Sequence, residues 1–214
     1  MNFTDTQKKA VIFSPIIMVV ACHIAARVGR IYMGKWAFIP VMLMIWIVSY
    51  IYIYRFANKE FYKKWLTKVK GNLGIKFLVV LIGLLPLPIF LLHWQTLDST
   101  TILIPFIIIA LVNPLFEEFY WRGLLLDYTQ HWPKWQSVIY TSFFFAINHP
   151  LSFGMFSVLN SGYTVFASTF MMGVIWAIGY QKIGNLRLII FSHLLVDTFN
   201  LSVPAFLDLF KNPW

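Results

Sequence analysis

The chain has 214 residues, of which 59% are hydrophobic, 19% aromatic and only 12% charged, with a formal net charge of +9. An ordinary water-soluble domain is about a quarter charged, so this chain cannot cover its surface with polar groups and needs lipid as part of its solvent. The positive charge then reads as loops held on the cytoplasmic side of a membrane, not as nucleic-acid binding, and the single cysteine, Cys22, excludes an internal disulfide and a cysteine-cluster metal site.

A membrane-spanning helix needs about 20 apolar residues. Seven stretches qualify, at roughly 10–26, 36–54, 77–94, 101–127, 135–150, 163–180 and 186–201. The first lacks a small-residue cleavage site and reads as a retained span. It contains Cys22, which reads as a small packing residue. The segment Arg55–Lys76 follows the second span. Seven Lys and Arg against Glu60 give it a net charge of +6, and Phe61, Trp65, Val69 and Leu73 recur every four residues. It reads as an amphipathic helix in the headgroup region or as a basic loop, in either case cytoplasmic. The fourth stretch is too long for one straight span and carries Pro105 and Pro114, so it is expected to kink or to divide in two. The chain ends Lys211-Asn212-Pro213-Trp214, without a lipidation motif. The linkers are short and no repeat is present. The expected fold is all-α: a polytopic transmembrane helical bundle of seven or eight spans with a kinked fourth span, forming one integral membrane domain over 1–214.

Alternation from the basic segment puts Lys134, Lys182 and Arg187 on its side of the membrane. It also puts Arg27, Arg30 and Lys35 on the opposite side, against the rule.

Five ionisable residues lie inside apolar runs: Glu117, Glu118, His149, His193 and Asp197. A charge at mid-bilayer costs about 2.5–3.5 kcal/mol on insertion scales, so each needs a partner, a water-filled cavity or a metal. Glu118 and Arg122 are four apart and share a helix face, which makes them a structural pair. Glu117 is turned about 100° away and must satisfy its carboxylate elsewhere. That makes it the candidate general base. His149 ends the run Phe145–His149 and, taken alone, fits an interfacial residue as well as a catalyst. His193 and Asp197 are also four apart. The aspartate could orient the imidazole, share a metal with it or simply pair with it. Glu117 is ten residues from Asp127, His149 fourteen from Trp135 and His193 seven from Leu186. At 1.5 Å per residue these depths are about 15, 21 and 11 Å, within what helix tilt absorbs. His23, His93 and His131 sit at span ends and read as interfacial. Asn148 and Asn200 are candidates to support the site.

The three motifs Glu-Glu-x-x-x-Arg-Gly-x-Leu (Glu117–Leu125), Phe-x-x-x-His (Phe145–His149) and His-x-x-x-Asp (His193–Asp197), with Gly184-Asn185-Leu186 before the last span, resemble the CPBP family. These are the CAAX prenyl protease and bacteriocin-processing membrane proteins, also called Abi. The resemblance covers about residues 110–200. It implies an intramembrane endopeptidase in which Glu117 activates water and His149 sits beside it. Glu118 and Arg122 support them. His193 and Asp197 would stabilise the oxyanion. The last position is often Asn in prenyl proteases. The Asp197 found here accepts hydrogen bonds but, when ionised, donates none, so it would act protonated, by orienting His193, or as a metal ligand. The family is described both as metal-dependent and as metal-free glutamate proteases. Two histidines and a carboxylate (His149, His193, Asp197) would suit Zn²⁺.

The expected partners are membrane lipids and a peptide or lipidated protein substrate, such as a prenylated CAAX-type C-terminus, at the cell membrane. A non-catalytic immunity or partner-binding protein on the same scaffold is the alternative. A proton-coupled transporter would call for repeated half-helices.

Overall fold

The computed structural model describes residues 3–67 and 73–210, and all regular structure among them is helical. Helix α1 (Asp5–Met33) opens with a capping box in which the Thr4 side chain accepts from the Gln7 backbone and the Gln7 side chain accepts from the Thr4 backbone. Pro15 lies inside α1 and has no N–H for the carbonyl of Val11. The Ser14 hydroxyl supplies the missing donor at 2.6 Å and also lies 2.6 Å from the Tyr120 hydroxyl. The proline thereby creates an attachment point between α1 and the centre of the bundle.

The chain reverses at Gly34, whose φ of +57° favours glycine, and returns as α2 (Phe38–Phe56). The two helices approach closely at Gly29, where a Cβ would lie 2.9 Å from the Pro40 ring. Asn58 caps the short α3 (Lys59–Trp65), accepting from the backbone of Glu60 and Phe61. Phe61 and Trp65 are buried in the protein's own interior. The apolar face of this part of the basic segment thus docks on the bundle. Val69, the next position of that face, lies outside the described residues, as does the C-terminal Lys211–Trp214.

The expected third span is broken. Helices α4 (Leu73–Leu84) and α5 (Leu87–His93) meet around Pro86, and Pro86 and Pro88 both lack the N–H that would continue the ladder. The fourth span differs from expectation in where it bends. Helix α6 (Thr100–Glu118) runs through Pro105 and Pro114, and α geometry gives way instead to a π-helical stretch, Phe119–Leu125, before the single turn α7 (Leu126–Tyr128). π-Helical turns are characteristic of functional sites, and this one falls within the first motif. Helices α8 (Lys134–Ser152), α9 (Tyr163–Ile183), α10 (Arg187–Phe199) and α11 (Ser202–Phe206) complete the chain. Gly184, in the left-handed region at φ +80°, closes α9.

Neighbouring helices pack in a closed ring in the order α1, α2, α6, α10, α4, α9, α8 and back to α1. The π-helical stretch contacts α1, α2, α3, α8 and α9 and sits toward the middle of the ring. Large apolar side chains point outward, among them Phe13, Ile17 and Ile24 of α1 and Leu43, Ile47 and Ile51 of α2. In water such a surface would aggregate; in lipid it is solvated. Among the described residues, four stretches are long and apolar enough to cross a membrane: Asp5–Phe56, Leu73–Thr96, Thr100–Tyr128 and Tyr163–Ile183. The chain is an all-helical integral membrane protein.

Candidate active site

The first motif straddles the end of α6 and the π-helical turn. Glu117 and Glu118 are the last α-helical residues and Arg122 lies in the turn. All three side chains are buried. Arg122 Nη1 donates to Glu118 Oε1 at 2.9 Å. The guanidinium carbon lies 4.1 Å from the ring centre of Phe145 and 5.1 Å from that of Trp176, so two aromatic faces flank the cation.

The last motif reaches the same place from α10. His193 Nδ1 lies 2.7 Å from Glu118 Oε1. Its Nε2 faces two further carboxylates, 3.6 Å from Glu117 Oε2 and 3.5 Å from Asp197 Oδ1. The Trp176 ring stacks on the imidazole at 4.7 Å and 25°. The Trp176 indole N–H is held by Ser192 Oγ, which itself donates to the Val79 carbonyl of α4. Gly83 of α4 permits this approach, since a Cβ there would sit 2.7 Å from the Ser192 carbonyl oxygen.

His149 comes from α8. Its Nδ1 lies 2.9 Å from the Phe145 carbonyl oxygen. A carbonyl only accepts, so Nδ1 carries the hydrogen, and the neutral ring presents a lone pair at Nε2. His149, Glu117, His193 and Asp197 all line one enclosed space of about 50 Å³, with Asn113, Asn160 and Asn200. That is room for at least one water. His149, His193, Asp197 and Asn200 also line a larger cleft of about 340 Å³, whose remaining walls include Ile82, Leu85, Ile89, Val165, Met171 and Met172. A polar floor therefore opens into an apolar cleft between α4–α5, α9 and α10.

Four separately expected residues thus meet at one cavity: Glu117, His149, His193 and Asp197. Glu118 pairs with Arg122 and also anchors His193. Asn148 accepts from the Ser152 hydroxyl. Asn200 is at the cavity, with a buried Oδ1 that no side chain satisfies. His23, bonded to the Leu151 carbonyl, and His93, stacked on Phe210, lie apart from it. His193 Nδ1 is held by Glu118, so Nε2 is the nitrogen that would face a Zn²⁺ ion, and among the described residues no three His, Cys, Asp or Glu side chains gather as a metal ion's ligands would.

Three contributors were missed from the sequence. Asn113 bonds both Glu117 and Asp197, and its position four residues before Glu117 in an apolar run was a readable signal. Trp46 bonds Asn113 and Trp176 stacks on His193. Tryptophans are common in this chain, and nothing local distinguishes these two.

Residues 99–199 match the family model described as type II CAAX prenyl endopeptidase, Rce1-like. Comparison with curated proteins and with solved structures finds no match to either. The matched stretch begins at the start of α6 and takes in all three motifs. Over residues 99–199, which carry every ionisable group of the cavity, the chain is similar to the type II CAAX prenyl endopeptidases of the Rce1-like family, in line with the CPBP resemblance of its three motifs.

Proposed function

We propose that the chain is an intramembrane endopeptidase of the glutamate type, cleaving a peptide bond near the C-terminus of a prenylated, CAAX-type protein. The observation that carries this reading is the single cavity shared by Glu117, His149, His193 and Asp197 beneath an apolar cleft. A water in the cavity loses a proton to Glu117 as its oxygen attacks the scissile carbonyl carbon. His149 Nε2 accepts the water's second hydrogen bond and so aims it. The developing oxyanion is met by His193, which donates from Nε2 when that nitrogen is protonated, while Glu118 at Nδ1 orients the ring and Asp197 lies beside Nε2. Glu117 then passes its proton to the leaving amide nitrogen as the C–N bond breaks. No step passes through a metal.

The apolar walls suit a prenyl chain or other lipid tail, and the cleft supports lateral entry from the bilayer between α5 and α9. We read seven crossings, formed by α1, α2, α4–α5, α6–α7, α8, α9 and α10, in the cell membrane. The basic residues Lys59, Lys63, Lys64, Lys134, Lys182 and Arg187 lie on helix ends joined by the Lys64–Asp127, Gln181–Lys134 and Leu186–Trp65 contacts. That end is read as cytoplasmic.

The test is cleavage of a farnesylated fluorogenic CAAX peptide by purified wild type, Glu117→Ala and chelator-treated protein. The reading expects chelator-insensitive cleavage that Glu117→Ala abolishes without loss of fold. Cleavage by Glu117→Ala at the wild-type rate removes Glu117 from the mechanism. If both proteins are inert and share one cellular phenotype, the non-catalytic partner-binding alternative takes its place.

A further inference from the structure

The two carboxylates that face His193 Nε2 are also joined by a side chain outside all three motifs. Asn113 lies on α6 one turn before Glu117 and is buried. Its Nδ2 is 3.0 Å from Glu117 Oε2 and 3.1 Å from Asp197 Oδ2. On the opposite side its Oδ1 accepts from the Trp46 indole N–H at 3.2 Å. An indole N–H only donates, so the amide oxygen must face Trp46 and the NH₂ must face the carboxylates. The NH₂ has two hydrogens, one for each carboxylate. When both are ionised, neither Glu117 nor Asp197 can donate to the other, and between like charges in a desolvated cavity the repulsion is strong. A donor is needed between them, and Asn113 is the residue in that place.

We propose that Asn113 is a positioning residue of the site: its carboxamide, fixed by Trp46, joins Glu117 Oε2 and Asp197 Oδ2 into one amide-bridged unit. The proposal rests on Glu117 being the base. The bridge occupies Oε2 and leaves the other oxygen of Glu117 to take the proton from water. Across the contact between residues 113 and 197 an amide and a carboxylate can bond with either residue supplying either group, whereas the bond to Glu117 needs the amide at 113.

The experiment uses the full chain in detergent with a farnesylated fluorogenic CAAX peptide as probe. The proteins are wild type, Glu117→Ala, Trp46→Phe, Asn113→Leu, Asn113→Asp and the exchange Asn113→Asp with Asp197→Asn. Asn113→Leu, which keeps the volume and removes the bridge, is expected to lower kcat about 10–100-fold while KM changes by less than about twofold. Trp46→Phe leaves the amide free to turn and gives a smaller loss of kcat. Asn113→Asp puts a third carboxylate against Glu117 and Asp197 and loses more. The exchange recovers at least about tenfold over Asn113→Asp, which is the non-additivity expected of a directly coupled pair. Wild-type kcat in Asn113→Leu, or an exchange no faster than Asn113→Asp, overturns the proposal.

An inert wild type strikes the peptidase reading instead, and an active Glu117→Ala strikes Glu117 as its base. The bridge is then read from thermal unfolding of the same proteins. Asn113→Asp is expected to melt below wild type and the exchange to recover most of the difference; an exchange that melts no higher than Asn113→Asp overturns the bridge.

Discussion

His193 Nδ1 and Glu118 Oε1 lie 2.7 Å apart, and the same oxygen accepts the Arg122 guanidinium at 2.9 Å. One carboxylate therefore fixes the tautomer and tilt of the imidazole and neutralises a buried cation. The pairing of Glu118 with Arg122 and the placing of His193 are a single arrangement, spanning α6, the π-helical turn and α10.

Glu118→Ala should accordingly cost both stability and turnover. It leaves Arg122 uncompensated between Phe145 and Trp176, and breaking a buried ion pair from one side costs about 3–5 kcal/mol. Arg122→Lys should also destabilise, because an ammonium lacks the planar face that the two rings flank. Denaturant unfolding in detergent measures both; unchanged midpoints would remove the pair from any structural role.

His149 offers a lone pair to the cavity because its other nitrogen is held by the Phe145 carbonyl. His149→Ala should lower kcat by about 10²–10⁴-fold, the usual range for a lost proton-handling group. His149→Gln, whose amide reaches toward the same place, should retain more. Steady-state rates on the prenylated peptide, with a melting curve for each variant, separate loss of chemistry from loss of fold. Equal loss in both variants would show that only the bulk of the ring matters.

Asp127 fastens α3 to the bundle. It accepts from Lys64 Nζ at 2.5 Å, Trp65 Nε1 at 3.1 Å and the Tyr180 hydroxyl at 2.9 Å. The backbone of Leu186 adds a bond to the Trp65 carbonyl, and a Cβ on Gly123 would meet the Trp65 indole at 2.8 Å. Asp127→Ala strands two buried donors, at about 1–3 kcal/mol each. Limited trypsinolysis should cut faster after Lys63 and Lys64 in this variant. Unchanged cleavage there would mean that the packing of Phe61 and Trp65 alone holds α3.

At the opposite end, Asp208 ties the residues before α9 to the C-terminal segment and to Lys35. Burial alone would raise its carboxyl, but the backbone N–H groups of Leu159 and Val158, the Lys35 ammonium and the Ser157 hydroxyl outweigh it and hold it below the ordinary value of 3.8. A carboxyl lowered by folding stabilises the native state above its unfolded value, and that contribution is lost as pH falls through the folded value. Asp208→Asn should therefore melt below wild type at neutral pH, and the gap should close only under acid conditions, below about pH 4. A gap that stays constant through that range would place the stabilisation in packing.

Much of this protein can be read along the chain because lipid is an unforgiving solvent. The apolar stretches stand out by length, and each corresponds to a helix or a helix pair, though the 77–94 stretch is divided at Pro86. Carboxylates and histidines inside those stretches stand out for the same reason, since only a partner or a cavity makes their burial tolerable. Local rules served less well at the fourth span. Pro105 and Pro114 point to a kink or a division there, yet the helix passes both and departs from α geometry at Phe119–Leu125, where Trp65 packs on Gly123, Arg122 bonds Glu118 and Tyr120 meets Ser14.

The carboxylates and histidines buried in the bundle were thus identifiable from their types and spacing alone, and so was the i,i+4 pairing of Glu118 with Arg122. Their division of labour was not. That Glu118 also anchors His193, that Asn113 bridges Glu117 to Asp197, and that Trp46 and Trp176 orient these groups depend on contacts between helices far apart in sequence. Periodicity places a side chain on a face of its own helix. Which other helix that face meets, and with which atom, is decided by how the ring of helices closes.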